Sequence, residues 1–402
     1  MRPRRLAVAL AALATLGATG AVGADAIQEF LRRHWRQPLA PQGQAPARFT
    51  PIEASLQPES CGTCHPAQHA DWKTSLHAQS MGPGVAGQLV EMFETDPGSA
   101  LGCLVCHAPL AEQAPLVAAG DRTKPNPVYD AALGAKGLAC VGCHVRAHER
   151  FGPPRRDGSL TSGSPRDTLP HGGGTRTPAF LRAEFCQGCH QFTPDGFALN
   201  DKLLENTYSE WKASRFAREG VQCQDCHMPD RRHLWRGIHD ADMVRSGLTI
   251  SAKTGAARYR PGETATATLS VTSARVGHAF PTYVTPRVIL RAELLDAAGR
   301  VVAGSRAEKV IAREVALDLS REVFDTRLLP GRSAALQYRR RIEAPRMRVR
   351  LSVVVEPDAF YTKFFEALLR QGAGRGEAQI RAALEASRRS PFIVFERELQ
   401  LS

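Results

Sequence analysis

The sequence has no cysteine outside one repeated pattern, and that absence argues against two common uses of cysteine. All ten cysteines belong to Cys-x-x-Cys-His, which occurs five times between residues 61 and 227. A zinc site usually draws on a second ligand pair at a fixed offset, with cysteines outside such a frame. A disulfide framework would not place a histidine after every second cysteine. Zinc and disulfide scaffolds are therefore not expected, and the absence of any Cys-x-x-Cys-Lys leaves the pattern uniform.

Long apolar runs are also absent after residue 23, so no later segment is expected to span a bilayer. The N-terminus has a basic start, an Ala/Leu/Val-rich stretch at 6–23 and small residues at 22–24. These features predict a Sec-type signal peptide over 1–24. The alternative is an uncleaved anchor, which the alanine and glycine content of the stretch disfavours. The mature protein is therefore expected in the periplasm, with no membrane span after signal cleavage.

The repeated pattern is the attachment signature of c-type haem. The two thiols add across the vinyl groups of one haem, and the adjacent histidine becomes an axial iron ligand. The chain is therefore expected to hold five covalently bound haem c groups. The attachment cysteines are Cys61, Cys64, Cys103, Cys106, Cys140, Cys143, Cys186, Cys189, Cys223 and Cys226. The adjacent ligand histidines are His65, His107, His144, His190 and His227.

The formal net charge of +12 does not indicate a nucleic-acid partner. A basic composition can be typical of nucleic-acid binding. Here, however, three arginines belong to the predicted signal peptide, and the propionates of five haems would offset most of the remainder. Arginine is the planar partner that suits a carboxylate. Much of the arginine excess is therefore expected to pair with haem propionates.

The chain is predicted to form an α+β multidomain protein, with a mainly helical and irregular haem domain before a β domain. An irregular lead-in is expected at 25–50, and a pentahaem domain at 51–245. Its motifs lie 37 to 46 residues apart. That is too short a spacing to bury a separate core around each haem, so the haems themselves are expected to form the core. Short helices and long loops should surround them, with the longest loops at 109–127 and 152–178.

The composition changes in the last part of the chain, at 246–402. Residues 264–271 and 346–353 alternate apolar and polar side chains, and 288–295 is a third strand candidate. Helices are expected near 359–369 and 377–387, followed by a last strand at 392–401. Short alternating strands separated by turns predict an antiparallel β-sandwich of Ig-like type.

A weak internal repeat links two segments near haem motifs. The segment Asp71-Trp72-Lys73-Thr74-Ser75 resembles Glu210-Trp211-Lys212-Ala213-Ser214. Both segments have a helical composition. Trp72 and Trp211 are expected to pack against porphyrin, because aromatic side chains offer large apolar surfaces.

Histidines outside the motifs are candidates for the second axial position. Five are predicted ligands: His77, His148, His233, His239 and His278. His171 is left open because it lies in a flexible loop. His69 follows its motif histidine by four residues, on the same helical face, and is expected to pack. His34 is expected to lie outside the packed region.

His278 stands alone in the C-terminal part, within Gly277-His278-Ala-Phe-Pro281-Thr282. It could be an ordinary loop histidine. We predict instead that it reaches a haem and thereby joins the two domains.

The chain resembles the multihaem cytochromes of the cytochrome c-554 type over about residues 51–300. The resemblance rests on Cys61-Gly-Thr-Cys64-His65 with Trp72-x-x-Ser75-x-His77-Ala78, on Cys103-Leu-Val-Cys106-His107-Ala-Pro, on Cys223-Gln-Asp-Cys226-His227-Met-Pro with His233 and Gly237-Ile-His239-Asp240, and on Gly277-His278-Ala-Phe-Pro-Thr. It implies a mainly helical haem-stacking fold, electron carriage, and distal ligands at His77, His239 and His278. The fifth haem motif and the appended β domain are departures from that family.

Two functions remain open from the sequence. The first is an electron carrier, whose stacked and mostly bis-histidine haems link a donor protein to an acceptor protein. The second is a multihaem oxidoreductase, in which one haem has an open site for a small nitrogen or sulfur compound. Pentahaem nitrite reductases usually have a lysine in one motif, and this chain has none. Electron transfer is therefore favoured.

Overall fold

The computed structural model describes residues 23, 25–161 and 163–401. The predicted signal peptide at 1–24 lies outside this range, apart from residue 23. Within the described residues, no helix is long and apolar enough to cross a membrane.

The described chain forms two compact units that alternate along the sequence. The first comprises residues up to 81, 97–188 and 231–233, and the second comprises 82–96, 189–230 and the chain from 234 onward. The predicted boundaries at 50 and 245 divide the chain sequentially, so they do not coincide with these units. The predicted boundaries mark the limits of the haem-binding region, and that region stays a prediction.

The helices are short, as the spacing of the motifs predicts. Proline begins several of them, because its missing N–H is not needed in a first turn, and Thr50 caps one through a reciprocal bond with Glu53. The helices are α1 at 25–34, α2 Pro51–Ala54, α3 Pro58–Cys64, α4 Pro66–Lys73, α5 Pro83–Thr95, α6 Pro97–His107, α7 Ala131–Gly134, α8 Cys140–His144, α9 Glu184–His190, α10 Thr207–Lys212, α11 Arg215–Arg218, α12 Cys223–His227, α13 Ala241–Gly247, α14 Ala359–Gln371 and α15 Glu377–Arg389.

Small sheets punctuate the first unit. Its strands are β1 Leu116–Ala119, β2 Arg122–Pro125, β3 Val145–Arg146, β4 Glu149–Gly152 and β5 Thr175–Arg176. β1 and β2 form an antiparallel hairpin, which turns at Gly120 with φ of 68°. The segment predicted as a loop at 109–127 is therefore partly a hairpin. The other predicted loop, at 152–178, is mostly irregular but ends on β5, which pairs in parallel with β4.

The lead-in begins with a helix and is irregular at 35–50, and His34 is not outside the packed region. Residues 25–34 are helical, and His34 is only 3% exposed. Its ring stacks on Phe30 at 4.9 Å and lies 5.7 Å from Phe185. Its Nε2 donates to the Cys143 carbonyl at 2.9 Å. The Pro/Gln-rich residues that follow this helix made the whole segment look irregular. The apolar residues of the helix pack on aromatic side chains far along the chain.

His34 should make the protein sensitive to acid. Burial, with the nearby Arg146 charge, lowers the pKa of His34 to about 3. The unfolded chain takes up a proton below about pH 6.5, whereas the folded one does not until about pH 3. Stability is therefore complete above pH 6.5 and falls towards pH 3. We expect His34→Gln to flatten this dependence by about 1.4 kcal/mol per pH unit between pH 5.5 and 4. Urea unfolding across that range tests this, and equal slopes in both proteins would contradict it.

Two antiparallel sheets dominate the second unit. Its strands are β6 Ala198–Leu199, β7 Lys202–Leu203, β8 Leu248–Thr254, β9 Thr264–Ser273, β10 Arg287–Leu295, β11 Ala307–Ile311, β12 Arg313–Val315, β13 Glu322–Asp325, β14 Ser333–Arg341, β15 Arg348–Glu356 and β16 Phe392–Gln400. One sheet has the order β14-β9-β8 and the other β11-β10-β15-β16. Apolar residues of both sheets form a single core that includes Leu269, Leu290 and Leu351.

Each strand and helix predicted in the C-terminal part is present. The alternation of β9 is visible in its burial, because every second residue is buried. The two sheets mix with helices, however, and a single Ig-like sandwich is not confirmed. The overall class is a mixture of helices and several small sheets with strands concentrated in the C-terminal region.

Helices α5, α14 and α15 form a second cluster in this unit. The approach of α5 to the segment before α15 is very close, since a Cβ on Gly376 would lie 2.0 Å from the Gly87 carbonyl oxygen. Phe365 and Ile380 fill the centre of the cluster. Glycine at both positions is what allows the backbones to meet.

Candidate functional site

Every Cys-x-x-Cys-His motif lies on or at the end of a short helix. Motifs at 103, 140, 186 and 223 end their helices at the histidine, and in the first motif α3 ends at Cys64 with His65 as the cap. This places two cysteines one turn apart on one face and releases the histidine ring beside them. The ten thiols are half-buried or exposed, and none forms a disulfide. The motifs therefore present their thiols in a form that a haem can reach.

Hydrogen bonds fix the tautomer of three motif histidines. In each, Nδ1 donates to a backbone carbonyl, which leaves Nε2 without a hydrogen and able to bind a metal. The contacts are His107 to Ser80 at 2.6 Å, His144 to Phe151 at 2.8 Å and His227 to Arg236 at 2.6 Å. This is the usual second-sphere arrangement of a metal-binding histidine.

The fourth motif has a different partner. Nδ1 of His190 lies 2.7 Å from the Tyr283 hydroxyl. Tyr283 has a φ of 65°, unusual for a residue with a side chain. Burial, together with the Glu205 charge and hydrogen bond, raises the pKa of Tyr283 well above its usual range. The phenol is therefore a neutral hydroxyl held between His190 and a carboxylate. Sequence reasoning missed Tyr283, and no motif could have indicated it.

Two motif histidines face a second histidine across a gap. The rings of His144 and His233 have centroids 6.2 Å apart and planes inclined by 32°. Those of His227 and His278 are 6.3 Å apart at 16°. An iron between two imidazoles, with metal–nitrogen bonds of about 2 Å, would put the centroids about 6 Å apart. The donor set and spacing at both places thus fit a haem iron.

The facing histidines share the tautomer of the motif histidines. His233 directs Nδ1 to the Arg231 carbonyl at 3.0 Å, and His278 directs Nδ1 to that of Ala279 at 2.9 Å. In both rings Nε2 therefore carries no hydrogen, which is the form that binds a metal. His171, which the sequence left open, has the same feature through the Gly173 carbonyl at 2.9 Å.

Three other histidines use Nε2 for a hydrogen bond instead. They are His34, His148 and His239, whose acceptors are the Cys143 carbonyl, the Gly43 carbonyl and the Asp358 carboxylate. Since a carbonyl can only accept, Nε2 carries the hydrogen in the first two. The assignment of His148 and His239 as iron ligands stays a prediction. His69 packs, because its ring lies 2.8 Å from where a Cβ on Gly62 would be.

His77 lies beside the second motif. The Ser80 hydroxyl is 2.9 Å from the His77 carbonyl and 2.7 Å from the His107 carbonyl. Gly137, with φ of 63°, allows this approach because a Cβ there would lie 2.5 Å from the Ser80 hydroxyl. The structure therefore brings His77 to the neighbourhood of His107.

Burial keeps the ring nitrogens neutral. Desolvation lowers the pKa of His144 to about 4 and that of His190 to about 4. The neutral imidazole is the form that binds iron.

In the first unit, the thiols of Cys61 and Cys140 also hydrogen-bond, which lowers the pKa of Cys61 and raises that of Cys140. The attachment edges of the first and third motifs are therefore adjacent.

Comparisons with known proteins agree with these features. Residues 60–145 match the family described as cytochrome c554 and c-prime. A curated relative, cytochrome c-552 of Aliarcobacter butzleri, is 24% identical over 191 residues, which cover 45% of this chain. That match spans 36% of the relative's own length.

A solved structure has a similar fold. It is a penta-heme cytochrome c552 from Thermochromatium tepidum, 20% identical, with a TM-score of 0.62. The match covers 88% of this chain and 100% of that one. In its motifs, in the match over residues 60–145 and in its fold, the chain is similar to multihaem c-type cytochromes.

Proposed function

We propose that this protein is an exported pentahaem c-type cytochrome that carries electrons between redox-partner proteins. The observation that carries the proposal is the pair of facing imidazoles at both His144–His233 and His227–His278. Histidine on both faces of an iron keeps it low-spin, so that it changes little in structure when it changes charge. That property suits electron transfer rather than substrate binding.

We assign His233 as the second ligand of the third haem and His278 as that of the fifth. His77 and His171 are the remaining distal candidates with support from the structure. The sequence assignment of His148 and His239 is retained as a prediction that ligand replacement can test. In this proposal His278 also joins the haem-binding part of the chain to the β-rich part, because its loop lies in the β-rich part.

Haems in each unit should be close enough to exchange electrons. In the first unit, the thiols of Cys61 and Cys140 are in contact, so haems attached at the first and third motifs would lie side by side. In the second unit, His190 lies near enough to His227 and His278 for their charges to affect it. The haems of the fourth and fifth motifs are therefore neighbours.

The cellular setting follows from the same reasoning. Covalent haem attachment occurs outside the cytoplasm in bacteria, and the predicted signal peptide directs the chain to the periplasm. The donor and acceptor are expected to be proteins, because the propionates of five haems would offset the basic composition that would otherwise attract nucleic acid.

Electron paramagnetic resonance separates electron carriage from the alternative of an open-site oxidoreductase. We expect the oxidised protein to have five low-spin haems whose spectrum is unchanged by cyanide, nitrite or hydroxylamine. A high-spin haem that shifts on adding one of these ligands would overturn the electron-carrier proposal in favour of the enzyme.

Tyr283 should set the potential of the fourth haem. An oxygen that accepts from Nδ1 makes the imidazole a stronger donor, which favours ferric iron. We expect Tyr283→Phe to raise one of the five haem reduction potentials. The rise is about 59 mV for each tenfold loss in the preference of the imidazole for ferric over ferrous iron. A spectroelectrochemical titration measures it. Tyr259→Phe, which removes a hydroxyl bonded to Thr266 away from any motif, is the matched control and should change nothing.

A further inference from the structure

The two segments of the internal repeat make the same indole contact with a haem motif. Trp72 of α4 donates its indole N–H to the Leu138 carbonyl at 2.9 Å. Trp211 of α10 donates to the Val221 carbonyl at the same distance. Each acceptor stands two residues before the first cysteine of a motif, Cys140 or Cys223. Both indoles are buried, with 5% and 8% exposure.

The acidic residue before each tryptophan makes a second common contact. Asp71 Oδ2 accepts the His233 backbone N–H at 3.0 Å. Glu210 Oε2 accepts the backbone N–H of Ala279, the residue after His278, at 3.1 Å. Both carboxylates are largely buried, with 8% and 11% of the side chain exposed. Each therefore holds the backbone of a loop that carries a facing histidine.

An arginine neutralises each carboxylate. Arg232 contacts Asp71 with two nitrogens, at 2.7 and 2.6 Å. Arg327 contacts Glu210 at 2.9 Å, and its side chain is 9% exposed. Arg232 precedes His233 directly, whereas Arg327 comes from a distant segment. The same charge arrangement thus arises from unrelated positions, so the likeness lies in chemistry and not only in the short sequence repeat.

The remaining positions of the two helices also correspond. Lys73 and Lys212 are exposed, and Ser75 and Ser214 are buried. Each helix therefore has one face towards a haem motif and the loop that carries His233 or His278, and another face towards solvent. One set of these contacts lies wholly within the first unit and the other wholly within the second.

We propose that the sites of the third and fifth haems are two copies of one module, in which Asp71 and Glu210 are positioning residues for the second axial histidine. The tryptophan ties the helix to the attachment motif, and the carboxylate ties it to the loop of His233 or His278. One short helix thereby fixes the distance between the two axial ligands of one iron. This inference rests on the proposed function, since it needs a haem at each place.

The test uses the full five-haem protein with Asp71→Ala and Glu210→Ala. Each should retain five haems and gain one high-spin, cyanide-binding haem, and the double variant should gain two. Asp71→Asn and Glu210→Gln retain an oxygen that can accept the backbone N–H, so they should restore most of the low-spin signal. Lys73→Ala and Lys212→Ala, on the solvent faces of the same helices, should leave the spectrum unchanged.

Two reference variants separate this inference from the function on which it rests. His233→Ala and His278→Ala should each produce one high-spin haem. If they do and the carboxylate variants remain fully low-spin with five haems, the module is overturned and the electron carrier stands. If the histidine variants also remain low-spin, the ligand assignment fails. Where an alanine variant gives too little protein, Asp71→Leu or Glu210→Met carries the test, because neither side chain can accept the backbone N–H. A spectrum identical to that of the unchanged protein then counts against the module.

Discussion

His233→Ala and His278→Ala are each expected to convert one haem in five to a high-spin form that binds one equivalent of cyanide. The ring of each histidine faces a motif histidine at the spacing of two imidazoles on one iron. Its removal leaves that iron with one protein ligand, while both thioether bonds remain. Haem content should therefore be unchanged, because attachment depends on the motif cysteines.

His239→Ala tests the retained assignment of His239 in the same experiment. The family resemblance implies a ligand there, whereas the structure gives Nε2 a bond of 2.9 Å to Asp358. The sequence assignment predicts one new high-spin haem in His239→Ala, and an unchanged spectrum would contradict it. Fully low-spin spectra for His233→Ala and His278→Ala would contradict the ligand pairs proposed above.

Arg313→Met is expected to lower the free energy of unfolding by about 3–5 kcal/mol, the cost of breaking a buried ion pair. Arg313 is 1% exposed and contacts Glu322 at 2.9 Å. It also donates to the carbonyls of Leu199, Lys202 and Leu203. These carbonyls belong to the β6–β7 hairpin that follows the fourth motif. Methionine has a similar length but leaves all four acceptors without this donor.

Urea unfolding followed by circular dichroism measures this loss. Arg300→Met removes an exposed ion pair with Asp296 and should change stability by no more than about 1 kcal/mol. Adding Glu322→Gln to Arg313→Met should recover little of the loss, because Lys202 and Asn200 still bond to Glu322 when Arg313 is replaced. A loss no larger than that of Arg300→Met would show that Arg313 does not hold the hairpin in place.

Local features of this protein were predictable from its sequence. The five motifs, the short helices that carry them and the strands β9, β10, β15 and β16 follow from spacing and alternation within a few residues. The same local information located the repeat around Trp72 and Trp211. It did not reveal what the repeat does, because the contacts of Asp71 and Glu210 join residues 162 and 69 positions apart.

The second axial ligands were predictable only in part. His233 and His278 were among the candidates, and the structure places both opposite motif histidines. His148 and His239 stay predictions, and no sequence pattern reveals that their Nε2 atoms are hydrogen-bonded in this structure. The helix at 25–34 was missed for a related reason, because His34 packs on Phe180 and Phe185, which come from another part of the chain.

The most direct test of the account is the intact mass of the protein purified from a host that attaches c-type haem. We expect the mass of the processed chain plus five haems, retained after denaturation because the bonds are covalent. A mass with fewer haems would contradict the pentahaem assignment, and a mass without haem would remove the basis for the axial ligands and for electron transfer.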